Sequence, residues 1–253
     1  PDSNLAQALS QKRRMLLNVA PERIWSEFRK ILSGKNVSIV LALMLKDEVL
    51  KIVLNTKWNL ASPIFEAISE FTLNETDYLA VFSILLSETD RDQIPDLLNN
   101  LKVSKFERDS VIGIVSRMGY VPNNVIGEIR VHRYVLGEEA ATHLQLEYLI
   151  KKFSIRLPQG SMDGCSLQEI EQLINKSSEL PLLKFSGKSI LDGNQLMNLT
   201  AIARGPKLGN LKSWLHRIQI ERDIQSEQEM IQILSTIVWQ NSDGNEWPKV
   251  QFP

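Results

Sequence analysis

Asp90 and Asp92 are a pair of carboxylates whose spacing could hold a divalent metal. Two carboxylates one residue apart on a strand can bind Mg²⁺ for phosphoryl or nucleotidyl transfer. Here the pair lies in "SETDRDQIP", between two helical patterns, with neither a preceding strand nor a glycine turn. We therefore predict that these residues form a solvated loop with a helix cap and do not bind metal.

Histidines and one cysteine supply the other candidates for catalysis. His143 and Glu147 are four residues apart in a helical pattern, a spacing that metal sites use, and His132 precedes them. Nothing nearby completes a set of three or four ligands, so we predict surface polar residues. Cys165 and His216 could meet only through the fold, and no local signature marks a nucleophile and its base. We expect no catalytic residue and no metal site in this chain.

A basic, glycine-rich stretch precedes an amphipathic helical pattern near the end of the chain. Arg204, Gly205, Lys207 and Gly209 surround the point at which the helix is expected to begin. Free backbone N–H groups at a helix start, with cations beside them, are suited to phosphate binding. The alternative is a plain helix start whose small residues permit close packing, and the sequence leaves both interpretations open.

The pattern of this helix also predicts which side chains are buried. Pro206 suits its first turn, and Leu208, Leu211, Leu215 and Ile218 should form its buried stripe. Three cations, Lys207, Lys212 and Arg217, should remain largely exposed. Upstream, Asp192 and Gln195 are spaced to form a capping box, with Leu196 and Leu199 turned inward.

The net charge of −1 conceals an uneven distribution of charge along the chain. Residues 1–36 carry seven Lys/Arg and three Asp/Glu, and residues 184–222 carry seven and two. The segment between them, 37–183, carries fourteen basic and twenty acidic residues. Two basic zones on either side of an acidic middle are typical of a protein that contacts a polyanion, although ordinary solvated helix faces would give the same distribution.

Helical periodicity occurs almost throughout, and no convincing alternating strand or hairpin turn appears. In "APERIWSEFRKILSG", for example, Ile24, Phe28, Ile31 and Leu32 recur at helical spacing between Pro21 and Gly34. We predict an all-α fold, an irregular multi-helix array without a β-sheet domain. A single cysteine favours a reducing intracellular compartment, cytoplasm or an organelle interior such as mitochondrion or plastid, and no apolar run is long enough to span a membrane.

Three segments of the chain, taken in order, form one recognisable pattern. They are "VAPERIWSEFRKILSGK"; then Leu101, Val103, Ser104, Glu107 and Arg108; then "SGKSILDGNQLMNLTAIARGPKLGNLKSWLHRIQIE". They resemble, respectively, the neck region, the body helices and the C-terminal segment of class II tRNA nucleotidyltransferases, the CCA-adding enzymes and bacterial-type poly(A) polymerases. The resemblance implies partial neck helices over 1–36, a helical body over 37–180 and a tRNA-binding helical tail over 181–253.

The motifs of that family's catalytic head do not occur here: the glycine-serine turn, the D-x-D pair, the Arg-Arg-Asp segment and the nucleotide-selecting E-D-x-x-R. The resemblance therefore implies a neck, body and tail without a head. We expect such a chain to be inactive alone and to need no cofactor itself. Mg²⁺ and ATP or CTP would be bound by the head of the complete enzyme, in cis or on another chain.

The resemblance also implies roles for residues. Glu22, Arg23 and Glu27 would support the neck. The tRNA acceptor arm would be held by Lys188, Arg204, Gly205, Lys207, Gly209, Lys212 and Arg217. The expected partner is tRNA or another structured RNA; the alternatives are the corresponding region of a poly(A) polymerase that acts on other RNA, and a non-catalytic helical interaction module.

Overall fold

The computed structural model of the protein describes residues 11–54, 62–72, 77–160, 164–184, 187–242 and 244–253. Within these ranges the chain forms thirteen α-helices and three short 3₁₀ helices, with no strand. The prediction of an all-α fold without a sheet is confirmed. The α-helices are α1 (Pro21–Leu32), α2 (Val37–Lys46), α3 (Val49–Leu54), α4 (Ile64–Phe71), α5 (Tyr78–Leu86), α6 (Ile94–Asn100), α7 (Lys105–Val115), α8 (Ile126–Leu136), α9 (Ala140–Lys152), α10 (Leu167–Glu179), α11 (Gly193–Thr200), α12 (Pro206–Arg222) and α13 (Glu227–Thr236).

The chain divides into two compact units, each with its own hydrophobic core. The first comprises residues 1–121 and 142–170, and the second comprises 122–141 and 171–253. The predicted neck, body and tail, with boundaries at residues 36 and 180, refer to regions of the family that the chain resembles. The two compact units do not test those boundaries, which stay a prediction.

Helix α5 lies at the centre of the first unit. Eight of its residues, from Leu79 to Leu86, are buried, which is typical of a helix surrounded by others. Asp77 caps it by accepting a hydrogen bond from the backbone N–H of Leu79 at 2.9 Å. Helices α1, α4 and α7 pack against it. The ring of Phe82 lies 5.2 Å from that of Trp25 on α1, so aromatic packing anchors α1 to the core.

Helix α12 organises the second unit and packs on α8, α11 and α13. The predicted stripe is confirmed, because Leu208, Leu211, Leu215 and Ile218 are all buried. Helices α8 and α12 approach closely: a Cβ atom at Gly127 would lie 3.2 Å from the Cβ of Glu221.

The start of α11 also forms as predicted. Asp192 and Gln195 make the reciprocal hydrogen bonds of a capping box, and Leu196 is buried. The prediction that Leu199 turns inward is wrong, because this residue is 45% exposed. The helix ends one residue later, at Thr200, so no further helical turn covers that side chain. None of the helices in the described ranges combines the length and apolarity needed to cross a bilayer.

Candidate nucleic-acid interface

Helix α1 presents one apolar face to the core and one charged face to solvent. It starts at Pro21, whose missing N–H needs no partner at this position. Trp25, Phe28 and Leu32 recur at helical spacing and are buried. Arg23 and Lys30 of the same helix lie on its exposed side. The amphipathic pattern therefore determines which cations of this helix reach solvent.

Glu107, at the start of α7, joins α1 to its neighbours. Its carboxylate oxygens accept hydrogen bonds from the Trp25 indole N–H at 3.2 Å, the Tyr78 hydroxyl at 2.9 Å and the Arg29 guanidinium at 3.3 Å. It also closes a capping box with Ser104, whose backbone N–H donates at 3.0 Å. A single buried carboxylate thus orients three helices.

The hydrogen bonds determine the charge of this carboxylate. Burial alone would raise the pKa of Glu107, yet the hydrogen bonds from Ser104, Tyr78 and Trp25 together outweigh burial and lower the pKa. Glu107 is therefore ionised at neutral pH. Tyr78 shows the opposite effect, since burial and the neighbouring Glu107 raise the pKa of its phenol.

The three residues expected to support the neck all lie on the exposed face of α1. Glu27 pairs with Lys30 at 2.7 Å, and no ion pair joins it to Arg23 four residues earlier. A supporting role for Glu22, Arg23 and Glu27 stays a prediction. Besides the aromatic packing, Glu107 holds α1 in place through Trp25 and Arg29. The sequence marked this residue only as part of a motif, and its i, i+3 spacing from Ser104 was the signal for its capping role.

Residues 11–54 form a strongly basic surface. They contain nine Lys/Arg and four Asp/Glu. Three of the cations are paired, Arg13 with Glu48, Arg29 with Glu107 and Lys30 with Glu27. The other six are exposed and make no ion pair within the part of the chain that the structure describes: Lys12, Arg14, Arg23, Lys35, Lys46 and Lys51. Such unpaired cations are available to phosphate groups.

The start of α12 has the exposure that phosphate binding requires. Arg204, Gly205, Gly209 and Lys212 are exposed. A Cβ atom at Gly205 or Gly209 would meet no atom of the described residues within 4 Å, and Gly205 has an extended backbone with φ 168° that any residue adopts. No described residue therefore packs closely on these glycines, and whether they mark a plain helix start or a phosphate site stays open. Close approach by an outside molecule stays open as their role.

Two other predicted contacts are separated along the helix. Lys207 is half-buried and donates from Nζ to the backbone oxygen of Gln240 at 3.2 Å. Lys188 is exposed, and its backbone oxygen accepts from the side chain of Gln219 at 3.1 Å. Because Gln219 lies ten residues beyond Gly209 and fourteen beyond Gly205, the helix separates the Lys188 backbone from these glycines by about 15 Å and about 21 Å. These residues can contact one RNA only at separate points.

The expectation that Arg217 is largely exposed is wrong. Its side chain is 14% exposed and pairs with Glu128 and Glu221, both at 2.6 Å. The guanidinium also donates to the backbone oxygen of Lys249 at 3.0 Å. Hydrogen bonds to the two carboxylates raise its pKa against the effect of burial. Arg217 therefore ties α12 to α8 and to the C-terminal segment, and its charge is already compensated.

The aspartate pair behaves as predicted for a solvated loop. Asp90 and Asp92 are exposed at the 3₁₀ turn Arg91–Gln93. Asp90 occupies the N-cap position, but its side chain accepts from Gln93 Nε2 at 3.3 Å and not from a backbone N–H. No cluster of three or more His, Cys, Asp or Glu suited to a metal ion occurs among the described residues.

The prediction that His132, His143 and Glu147 lie at the surface is wrong, since all three are fully buried. The carboxylate of Glu147 accepts from the backbone N–H of Gly119 at 2.9 Å and lies 3.3 Å from His143 Nε2. Burial raises the pKa of Glu147 well above its ordinary value and lowers that of His143 to about 4. The i, i+4 spacing correctly placed His143 and Glu147 on one face of α9, but only the packing of α9 decides that this face points inward.

The cysteine lacks the properties of an activated nucleophile. Burial, with the nearby Glu169 charge, raises the pKa of Cys165, whereas a reactive thiolate requires a lowered pKa. His216 packs its ring against Tyr134, with 5.4 Å between ring centroids, and burial lowers its pKa. The interpretation of Cys165 as a structural residue agrees with this environment.

Comparison with known proteins points to the N-terminal part of the chain. No curated protein matches the chain. Residues 1–57 match a protein-family model described as "Probable RNA and SrmB-binding site of polymerase A". This range contains α1 and the basic surface of residues 11–54. Over residues 1–57 the chain is therefore similar to the RNA-binding region of polymerase A, and this similarity supports an RNA-binding role.

Proposed function

We propose that this chain binds RNA and that it holds the acceptor arm of tRNA while a catalytic head, in cis or on another chain, adds CMP and AMP to the 3′ end. The match of residues 1–57 to an RNA-binding region of polymerase A is the observation that carries RNA binding. The choice of tRNA rests on the resemblance of the neck, body and tail segments to CCA-adding enzymes.

The basic surface of residues 11–54 supplies the electrostatic part of this function. Its six exposed, unpaired cations attract RNA phosphates and release their counterions. In the second unit, Arg204, Lys207, Lys212 and Lys188 add phosphate contacts, and Gly205 and Gly209 permit close approach of the backbone. Arg217 acts by positioning α12. Contacts of this kind recognise shape and charge without reading sequence, as an enzyme that accepts every tRNA requires.

The described residues do not fit the metal of the complete enzyme. Asp90 and Asp92 lie exposed on a turn without a third carboxylate or histidine that could join them. Mg²⁺ and the nucleotide, ATP or CTP, would be bound by the head, and this chain's residues bind and orient RNA. We therefore expect the chain alone to add no nucleotide to tRNA.

A titration by fluorescence anisotropy tests the proposal. Labelled intact tRNA and an unstructured RNA of equal length are each titrated with the protein at two salt concentrations. Tighter binding of tRNA, with an affinity that falls steeply with salt, supports the proposal, since each phosphate that the protein neutralises contributes roughly 0.7 to 0.9 to the salt slope. Absence of binding to either RNA contradicts it and favours the helical interaction module.

Charge reversal tests which surface is used. Lys46→Glu together with Lys51→Glu should weaken binding of both RNAs and reduce the salt slope by about one for each phosphate that is no longer neutralised. The matched control is Lys102→Glu together with Lys105→Glu, which makes the same change of net charge at two exposed lysines outside residues 11–54 that form no ion pair among the described residues. An equal loss of affinity in the control would show that only net charge matters.

A poly(A) polymerase is the second candidate, because the description of the matching family model names polymerase A. Such an enzyme acts on RNA of looser shape. Equal affinity for tRNA and for the unstructured RNA, with the same salt slope, would favour this candidate over tRNA recognition.

A further inference from the structure

A buried glutamine attaches the segment before α11 to the C-terminal half of α12. Gln219 is 2% exposed. Its Oε1 accepts a hydrogen bond from the backbone N–H of Ile190 at 2.9 Å, and its Nε2 donates to the backbone oxygen of Lys188 at 3.1 Å. Leu191 follows directly and is fully buried in the core of the second unit. The main chain at Lys188 therefore has a fixed position beside α12.

Asp223 makes a second attachment about one helical turn further on. It follows the last residue of α12, and its Oδ1 accepts a hydrogen bond from the backbone N–H of Lys184 at 3.2 Å. Its backbone is left-handed, with φ 54°, a conformation that Asp adopts more readily than most residues. Because it lies four residues beyond Gln219, the two attachments are about 6 Å apart along the helix. The main chains of Lys184 and Lys188 are therefore both held at the C-terminal end of α12.

Three exposed cations lie at these attachments: Lys184, Lys188 and Arg222. Arg222 is three residues beyond Gln219 on α12, so the two side chains leave the helix on the same face. Among the residues that the structure describes, no side chain of the three cations makes a hydrogen bond or an ion pair. Asp223 adds one negative charge beside three positive charges. A net positive charge therefore remains at this end of the helix.

Other cations of the second unit differ from these three because they have partners within the fold. Arg130 donates to the backbone oxygen of Glu221 at 2.9 Å, and Arg133 donates to the backbone oxygen of Leu180 at 2.6 Å. Arg217 pairs with the carboxylate of Glu221 at 2.6 Å. These cations stabilise the packing of α8 and α12. The three exposed cations keep their charge for an anion from outside the chain.

We propose that Lys184, Lys188 and Arg222 form one binding site for the phosphate groups of an RNA backbone, and that Gln219 positions this site by holding the main chain of Lys188. This inference rests on the proposed RNA binding, and it adds Lys184 and Arg222 to the RNA contacts. Arg222 lies thirteen residues beyond Gly209, which is about 20 Å along the helix. An RNA that also contacts the glycine-rich start of α12 therefore touches this helix at two separate points.

Removal of the three charges tests the site in the whole chain. One variant combines Lys184→Gln, Lys188→Gln and Arg222→Gln, and labelled tRNA is titrated with it by fluorescence anisotropy over a series of salt concentrations. Each phosphate that the protein neutralises contributes about 0.7 to 0.9 to the salt slope, so the slope should fall by about 2 to 3. The affinity at about 0.1 M salt should fall by at least about tenfold.

The matched control combines Lys102→Gln, Lys105→Gln and Arg156→Gln. It also replaces two lysines and one arginine, all exposed and without an ion pair among the described residues. Its salt slope should stay within about 0.5 of the wild-type value. An equal fall of the slope in both triple variants would show that only net charge matters, and it would overturn the site while RNA binding by the wild type stands. Absence of RNA binding by the wild type would contradict the proposed function, and this site with it.

A double-variant comparison tests the positioning role of Gln219. Gln219→Leu removes both hydrogen bonds to the segment before α11, so its salt slope should fall by about 0.7 to 0.9, as in Lys188→Gln. If Gln219 acts through Lys188, the double variant should show no further fall. Additive losses would mean that Gln219 acts elsewhere, and they would refute the positioning role.

Loss of stability is separated from loss of the site by one further variant. Ile218→Val, at the neighbouring buried position, should lower stability slightly and leave the salt slope unchanged. Circular dichroism measures the helical content of every variant. If Gln219→Leu loses helical content, the triple variant at Lys184, Lys188 and Arg222 still decides whether the site exists, because its three positions are exposed.

Discussion

Replacing Glu107 by glutamine should release helix α1 from its neighbours while leaving the shape of the side chain unchanged. The carboxylate has a 6% exposed side chain and accepts from Trp25, Tyr78, Arg29 and the Ser104 backbone. Each of its oxygens accepts two of these hydrogen bonds. An amide can accept at only one position, so two donors lose their acceptor whichever way the glutamine turns.

The magnitude follows from these contacts. If the amide N–H₂ replaces Oε1, the Tyr78 hydroxyl can rotate and accept, and Arg29, which is 49% exposed, returns to water at a cost below about 1 kcal/mol. The hydrogen bonds from Trp25 and Ser104 change from charge-assisted to neutral and lose about 1 kcal/mol each. We expect Glu107→Gln to lower the free energy of unfolding of the first unit by about 2 to 3 kcal/mol.

Hydrogen–deuterium exchange measures this change locally. Opening of α1 and α7 should become about 30- to 150-fold more frequent, the ratio that corresponds to this free energy. Peptides from residues 187–242, in the second unit, serve as the internal reference. Glu22→Gln is the matched control, because it makes the same chemical change on the exposed face of α1.

The pH dependence gives a second test. Because the folded pKa of Glu107 is lowered, its ionisation stabilises the fold fully above the unfolded pKa of about 4.3. That contribution is lost as pH falls through the folded pKa. The difference between wild type and Glu107→Gln should therefore be complete at neutral pH and shrink below about pH 4. An exchange ratio below about fivefold at neutral pH, or a difference that is insensitive to acid, would refute this account of Glu107.

Three further substitutions have clear expected outcomes. Gly160→Ala should lower the thermal midpoint, since the residue has φ +84° and a Cβ atom would lie 2.7 Å from a main-chain oxygen. Its control is Gly209→Ala, which should be neutral or stabilising by about 1 kcal/mol because a Cβ atom there meets no described atom within 4 Å. Glu147→Gln should flatten the dependence of stability on pH: burial raises the folded pKa, so wild type loses stability as pH rises from about 4.3 towards that value, and urea unfolding at about pH 5 and about pH 8 measures the slope. Leu215→Ala, at a fully buried position, should cost about 3 to 5 kcal/mol in urea unfolding, against less than about 1 kcal/mol for Leu199→Ala; similar costs would contradict the assigned core.

The sequence predicted the features that depend on near neighbours. The all-α class, the capping box of Asp192 and the buried stripe of α12 from Leu208 to Ile218 all appear in the structure. Each depends on spacing within one or two helical turns, where the period of the helix relates sequence directly to geometry. Charge patterning likewise located the basic zone at the start of the chain.

Local spacing could not show which polar side chains are available. Arg217 is an exposed cation by helical pattern. Its pair with Glu221 has i, i+4 spacing, but its second pair, with Glu128, joins residues 89 positions apart in sequence. His143 and Glu147 share a face by spacing, and the packing of α9 buries that face. Availability depends on which distant residues cover a side chain, and that is a property of the whole fold.

The features of the candidate site also fall into two groups, those that the sequence predicts and those that depend on the tertiary structure. The sequence by itself determined the helices, their caps and the sign of charge along the chain, because these depend on residues within a few positions of one another. Only the tertiary structure decided that Glu107 orients α1 and that six cations of residues 11–54 have no ion-pair partner among the described residues. Burial and pairing join residues far apart in the chain, and no local period encodes them.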